Sequence, residues 1–94
     1  MRLTNHYKEI IRSTFYEVFT SGDIYLFGSR LDDNKKGGDI DLYLEINEPP
    51  TLVKKLKFLA KLKRLLGEQK IDTVFNEDSS RDIEKEIKKW AIKL

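Results

Sequence analysis

Cysteine is missing from the 94 residues. Disulfides and thiolate metal sites are thereby excluded, and any bound metal must rely on carboxylates, water or the single histidine, His6, which alone makes a poor site. Long apolar runs are missing too. None approaches the ~20 residues of a membrane-spanning helix, and the N-terminus lacks the basic-then-apolar order of a signal peptide, so the expected location is cytoplasmic. An excess of one charge is also lacking: 18 Lys and Arg face 16 Asp and Glu, a net charge of +2. That balance is not the basic signature of a nucleic-acid binder, and neither nucleic acid nor a membrane is an expected partner. With no repeat, low-complexity tract or linker in so short a chain, residues 1–94 are expected to form one domain.

What is present is concentrated between Asp23 and Glu45, in DIYLFGSRLDDNKKGGDIDLYLE. Its last part alternates polar and apolar residues, so as a strand it points Asp39, Asp41, Tyr43 and Glu45 to one face and Ile40, Leu42, Leu44 and Ile46 to the other. Two carboxylates spaced i, i+2 on a strand repel each other and are tolerated best in water or across a cation. Hard oxygen ligands of this kind suit Mg²⁺ or Mn²⁺. Upstream, the apolar run from Ile24 to Phe27 leads directly into Gly28-Ser29-Arg30. There a glycine permits a tight turn and close approach to a ligand, and the serine offers a hydroxyl and an amide where phosphate is favoured.

The rest of the chain reads as support. Apolar residues at Tyr7, Ile10, Ile11, Phe15, Val18 and Phe19 predict a helix from Thr4, as N-cap, to about Thr20, with Ser21-Gly22 as the stop. Asp23 to Phe27 reads as the first strand. Pro49-Pro50 ends the second, and a helix follows whose buried face is read as Leu52, Val53, Leu56, Leu59, Ala60, Lys63 and Leu66, with Gly67 as C-cap. Its other face, with Lys54, Lys55, Lys57, Lys61 and Arg64 and no acid among them, reads first as a solvated face whose long stems cover apolar surface and, as the alternative, as a surface for nucleic acid or an acidic protein. Lys70 to Phe75 reads as a third strand carrying Asp72: either an edge strand with Asp72 simply exposed or, as the other two acids favour, a metal site, since an acid within an apolar strand is costly unless paired or bound to a cation. A last helix is expected to bury Ile83, Ile87, Trp90, Ala91 and Leu94. The expected fold class is α+β: a small mixed sheet with helices mainly on one face and the carboxylate face left open to a ligand.

Gly28-Ser29, about ten residues of loop, and then Asp39-Ile40-Asp41 on a strand closely resemble the polymerase-beta-like nucleotidyltransferase superfamily. Within it, LFGSR…GDIDLYLE and the chain length resemble the minimal nucleotidyltransferases, small proteins often paired with HEPN-type partners. The resemblance implies a third carboxylate on a later strand, which is Asp72. It implies a nucleotidyltransferase-like fold and transfer of a nucleoside monophosphate, AMP from ATP, to a hydroxyl on a partner protein, with pyrophosphate leaving. Asp39, Asp41 and Asp72 are then the catalytic and metal-binding residues, sharing two Mg²⁺ ions about 3.5–4 Å apart, with Mn²⁺ as a substitute. Gly28, Ser29 and Arg30 are the nucleotide-binding residues. The competing reading is a catalytically idle relative that neutralises or scaffolds its partner. Either way a second polypeptide is expected, because so short a chain has nothing left to wall in an acceptor; self-association is left open.

Overall fold

The computed structural model describes residues 3–28, 39–49, 51–67, 70–76 and 82–94. Helix α1, Asn5–Phe19, starts where the Thr4 side chain accepts a hydrogen bond from the Tyr7 amide at 3.2 Å, satisfying one of the amides that a helix start leaves unpaired. Strand β1 follows at Asp23–Phe27 and β2 at Ile40–Glu45. Thr51 then caps α2, Leu52–Leu66, which ends at Gly67 in a left-handed conformation with φ +81°. Strand β3 is Ile71–Phe75, helix α3 is Asp82–Trp90, and a two-residue strand β4, Ile92–Lys93, comes last.

The strands form one mixed sheet in the order β3-β2-β1-β4. β1 runs antiparallel to β2, pairing Tyr25 with Tyr43 and Phe27 with Asp41. β3 runs parallel to β2, pairing Asp41 with Asp72 and Leu42 with Thr73. A parallel pair needs a crossover, and α2 supplies it. Beyond the last rung, the Asn76 side chain imitates a strand residue. Its amide nitrogen donates to the Ile46 carbonyl at 3.0 Å and its oxygen accepts from the Ile46 amide at 2.8 Å, which holds β2 and β3 together past the ladder.

The alternation read from the sequence sets the sheet's core face. Ile40, Leu42, Leu44 and Ile46 are all buried there, with Ile24 and Leu26 from β1 and Ile71 and Phe75 from β3. α1 lays Ile11, Phe15, Val18 and Phe19 on this face, and α2 adds Phe58, Leu62 and Leu66. Phe19 meets Phe58 and Phe75 in edge-on contacts, with ring centroids 5.8 and 5.6 Å apart. Such geometry adds about 0.5–1.5 kcal/mol per pair to the burial itself.

Two sequence expectations are corrected here. The buried face of α2 is Phe58, Leu62 and Leu66, with Leu59 packed partly against the core, whereas Leu52, Val53 and Leu56 are 70, 75 and 57% exposed. Leu66 and Leu59 were placed correctly, but the rest of the face is rotated, because the phenyl cluster of α1 and β3 recruits Phe58. The second correction concerns the chain's end. The helix stops at Trp90, which is 69% exposed with its indole N–H on Glu86 at 3.2 Å, and the chain turns into β4, which pairs with β1 at Tyr25 and Leu26. Ile87 is buried as expected and Ala91 partly so, but Leu94 reaches the core from beyond β4, its amide bonded to the Ile24 carbonyl at 2.9 Å.

The carboxylate face is also less open than the alternation implies. Tyr43, on that face of β2, is buried and donates to the buried carboxylate of Glu84 on α3 at 3.4 Å. Lys88 of α3 pairs with Glu45 at 2.9 Å. α3 thus covers the Tyr43–Glu45 end of this face, while α1 and α2 cover the other face. The end that carries Asp39 and Asp41 is what the helix leaves uncovered among the described residues. No helix among them is long and apolar enough to cross a membrane.

Candidate active site

Three chain segments meet at one end of the sheet. β1 runs toward it and ends there in Gly28; β2 and β3, parallel to each other and opposed to β1, both begin there. Asp39 therefore lies just before β2, Asp41 is its second residue, and Asp72 is the second residue of β3, directly alongside Asp41 in register.

Asp41 is the most constrained of the three. It is half-buried, and its carboxyl is raised above the ordinary value of 3.8, first by burial, then by the charges of Asp72 and Asp39, with Lys70 opposing. The carboxylate rests against Gly28, in the space that a Cβ would take, and Gly28 has φ +83°. Two demands converge on this glycine: a left-handed backbone and room for Asp41. The sequence reading assigned the missing side chain to the approach of a ligand; what it accommodates here is the catalytic-type acid itself.

Asp39 is partly exposed, with the Lys70 ammonium 3.9 Å from its carboxylate. Lys70 also gives its carbonyl to the Ile40 amide at 2.9 Å, so it fastens the mouth of the β2–β3 pair. Asp72 is exposed on an edge strand. The argument that an acid in β3 needs a cation to offset burial does not hold for it, since β3 is open to water on that side. Ser29 and Arg30 lie outside the described residues, and so does the remainder of the loop up to Gly38.

The donor chemistry suits a divalent cation. Asp41 and Asp72 lie side by side on neighbouring strands and Asp39 just before β2, and the charges of Asp72 and Asp39 add to burial in raising the carboxyl of Asp41. Their side chains are not gathered about a common point, and among the described residues no group of three or more His, Cys, Asp and Glu side chains is so gathered. Sequence reasoning missed two features of the site. Lys70 was legible only as the residue opening the third strand, and Glu84 shares the side of α3 that carries Ile87 and Ala91 but, as an acid, carries no apolar signal of burial.

A four-stranded mixed sheet whose Gly28 end carries paired acids on one strand and a third acid on its parallel neighbour defines a nucleotidyltransferase-like fold. The family model for the polymerase beta nucleotidyltransferase domain matches residues 9–94, and the chain belongs to that family. A search of curated proteins finds no match. Nucleotidyl transfer is accordingly the class of reaction the family supports, with a nucleotide as substrate.

Proposed function

We propose that the protein moves a nucleoside monophosphate, AMP from ATP, to a hydroxyl on a partner protein, and that it acts in the cytoplasm as the antitoxin of a HEPN-type toxin. The observation that carries the reading is the pairing of Asp41 with Asp72 across parallel strands, with Asp39 two residues away.

In this mechanism Asp39, Asp41 and Asp72 would hold Mg²⁺. Bound there, the metal supplies Lewis-acid neutralisation of the phosphate oxygens and lowers the pKa of the attacking hydroxyl. Asp41, pinned against Gly28, is the fixed member. Asp39 and Asp72 both reach solvent and would supply the other carboxylates to a cation held there. Lys70, 3.9 Å from Asp39, offsets part of the acids' charge. The resemblance assigns the triphosphate to Gly28, Ser29 and Arg30, where the arginine would offset its charge. The acceptor oxygen attacks the α-phosphorus, the bond to pyrophosphate breaks, and the hydroxyl proton leaves to solvent. The partner supplies the second wall of the site, because α3 covers only the Tyr43–Glu45 end of the face.

The test is incubation with α-labelled nucleoside triphosphates, Mg²⁺ and the product of the neighbouring gene. A partner that gains one or more AMP units with the native chain, and none with Asp39→Asn, supports transfer. An unchanged partner that Asp39→Asn still neutralises fully would establish the idle binder instead.

A further inference from the structure

Trp90 is the chain's single tryptophan, and the fold sets it at the edge of the candidate active site. One residue, Ala91, separates the end of α3 from β4. β4 runs antiparallel to β1, and its first residue, Ile92, pairs with Leu26, two residues before Gly28. The chain therefore enters β4 from the Gly28 end of the sheet, and two backbone steps of 3.8 Å keep the Cα of Trp90 within about 7.6 Å of that of Ile92. The helix itself points the ring the same way. Lys88 reaches Glu45, at the end of β2 away from Asp41, and Trp90 leaves the helix roughly 200° round from Lys88. The indole thus projects from the flank of α3 that borders the uncovered acids.

Tryptophan is on average highly buried, yet this one is 69% exposed. Its N–H donates to Glu86 at 3.2 Å, which satisfies the polar edge and leaves the apolar faces of the ring to water. Among the described residues no other ring or cation packs against it. The other exposed rings, His6 and Tyr16, stand on α1 across the sheet. A protein interface would gather further apolar side chains around such an anchor. Around Trp90 the exposed side chains of α3 are the charged Lys85, Glu86 and Lys89, and Ile92, in register with Leu26, belongs to the opposite face. Neighbouring strands lie about 4.8 Å apart, so Asp41 on β2, Gly28 ending β1 and Trp90 ahead of β4 line three successive positions over about 10 Å. One nucleotide spans that distance from phosphate to base. We propose that Trp90 is the platform on which the base of the nucleoside triphosphate stacks while its phosphates lie at Gly28 and Asp41. Stacking uses the π-face that every base has and needs no hydrogen-bond readout, so residue 90 sets the affinity for triphosphates that carry a base over those that do not.

The proposal rests on the transfer reading above and names the residue of that site that takes the base. It is tested by binding, without transfer. The full chain in Mg²⁺ is titrated with ATP and, separately, with inorganic tripolyphosphate, followed by the fluorescence of the single tryptophan and by calorimetry. ATP is expected to change the fluorescence, and tripolyphosphate, which has no base, to leave it as it was. Trp90→Ala should bind ATP about tenfold or more weakly, and Trp90→Phe should keep most of the affinity. ATP binding that leaves both the fluorescence and the affinity of Trp90→Ala unchanged overturns the proposal while the transfer reading stands. An equal loss of affinity for tripolyphosphate in Trp90→Ala also overturns it, because the phosphate site is then what the substitution harms. So does a Trp90→Ala variant that binds ATP normally but no longer holds the partner protein, which assigns the ring to that interface. If the native chain binds no ATP at all, the transfer reading falls and the proposal with it.

Discussion

The carboxylate of Asp41 fills the space beside Gly28 that a side chain at position 28 would need. Gly28→Ala must therefore shift Asp41 and also hold an alanine at φ +83°. The backbone alone costs about 1–2 kcal/mol, and urea unfolding should show at least that loss. In an Asp41→Ala background the same substitution should cost measurably less, because the carboxylate is no longer displaced. Equal costs in both backgrounds would mean that the two residues are not coupled.

The crowding of acids around Asp41 sets a pH dependence. A carboxyl whose folded pKa is raised keeps its proton longer in the folded chain than in the unfolded one, so stability falls as pH rises through the interval above 3.8 and stays lower beyond it. Asp41→Asn removes that penalty. In chelator at neutral pH the variant should melt higher than the native chain, and the difference should vanish in acid. Added Mg²⁺ should raise the native melting temperature and leave that of Asp41→Asn nearly unchanged.

Metal-bridged binding has its own signature. Calorimetry should show triphosphate binding in Mg²⁺ and little in chelator, and Asp39→Asn or Asp41→Asn should lower transfer by ~100-fold or more, since even outer-shell partners of metal ligands are worth 10–100-fold. Equal affinity with and without the metal would rule this mode out. Circular dichroism of both variants should match the native chain, as neither residue packs in the core.

Much of this was legible in the residues because it depends on local rules. The Thr4 cap, the exact span of β1 and the burial of alternate residues in β2 follow from hydrogen-bonding chemistry and period-two geometry. The α2 face was not, because LVKKLKFLAKLKRLL carries two apolar stripes that fit a helix equally well. Only the phenyl rings of Phe15, Phe19 and Phe75, brought in from α1 and β3, choose between them. β4 was illegible for a related reason: the series Ile87, Ala91, Leu94 is a good helical pattern, overridden by pairing with β1. In the site, Asp39 and Asp41 were readable from their spacing. The nearness of Asp72 is a matter of strand order, and Glu84 owes its burial to Tyr43.

That buried pair gives an alkaline prediction. Tyr43 is pushed up to about 12, first by burial and then by the charge of Glu84. The unfolded chain releases this proton near the ordinary value of 10.0, so above it the unfolded state binds fewer protons and stability declines with rising pH. Tyr43→Phe should flatten the fall of melting temperature between pH 9 and 11. Some decline should remain above the ordinary lysine value of 10.5, where Lys88 and Lys93, both raised by their partners Glu45 and Asp23, begin to lose their pairing.

The orientation of α2 is itself testable by stability. Phe58 is fully buried among Phe15 and Phe19, whereas Leu56, two residues earlier, faces solvent. Removing a buried phenyl ring costs about 3–5 kcal/mol through lost transfer energy and the cavity left behind, a large fraction of what a chain this small has to lose. Phe58→Ala should therefore be largely unfolded or melt far below the native chain. Leu56→Ala should stay within ~0.5 kcal/mol of it, as surface substitutions do. The stripe first read from the sequence would reverse the order, making Leu56→Ala the damaging change. Urea midpoints for the two variants decide which face of the helix meets the sheet.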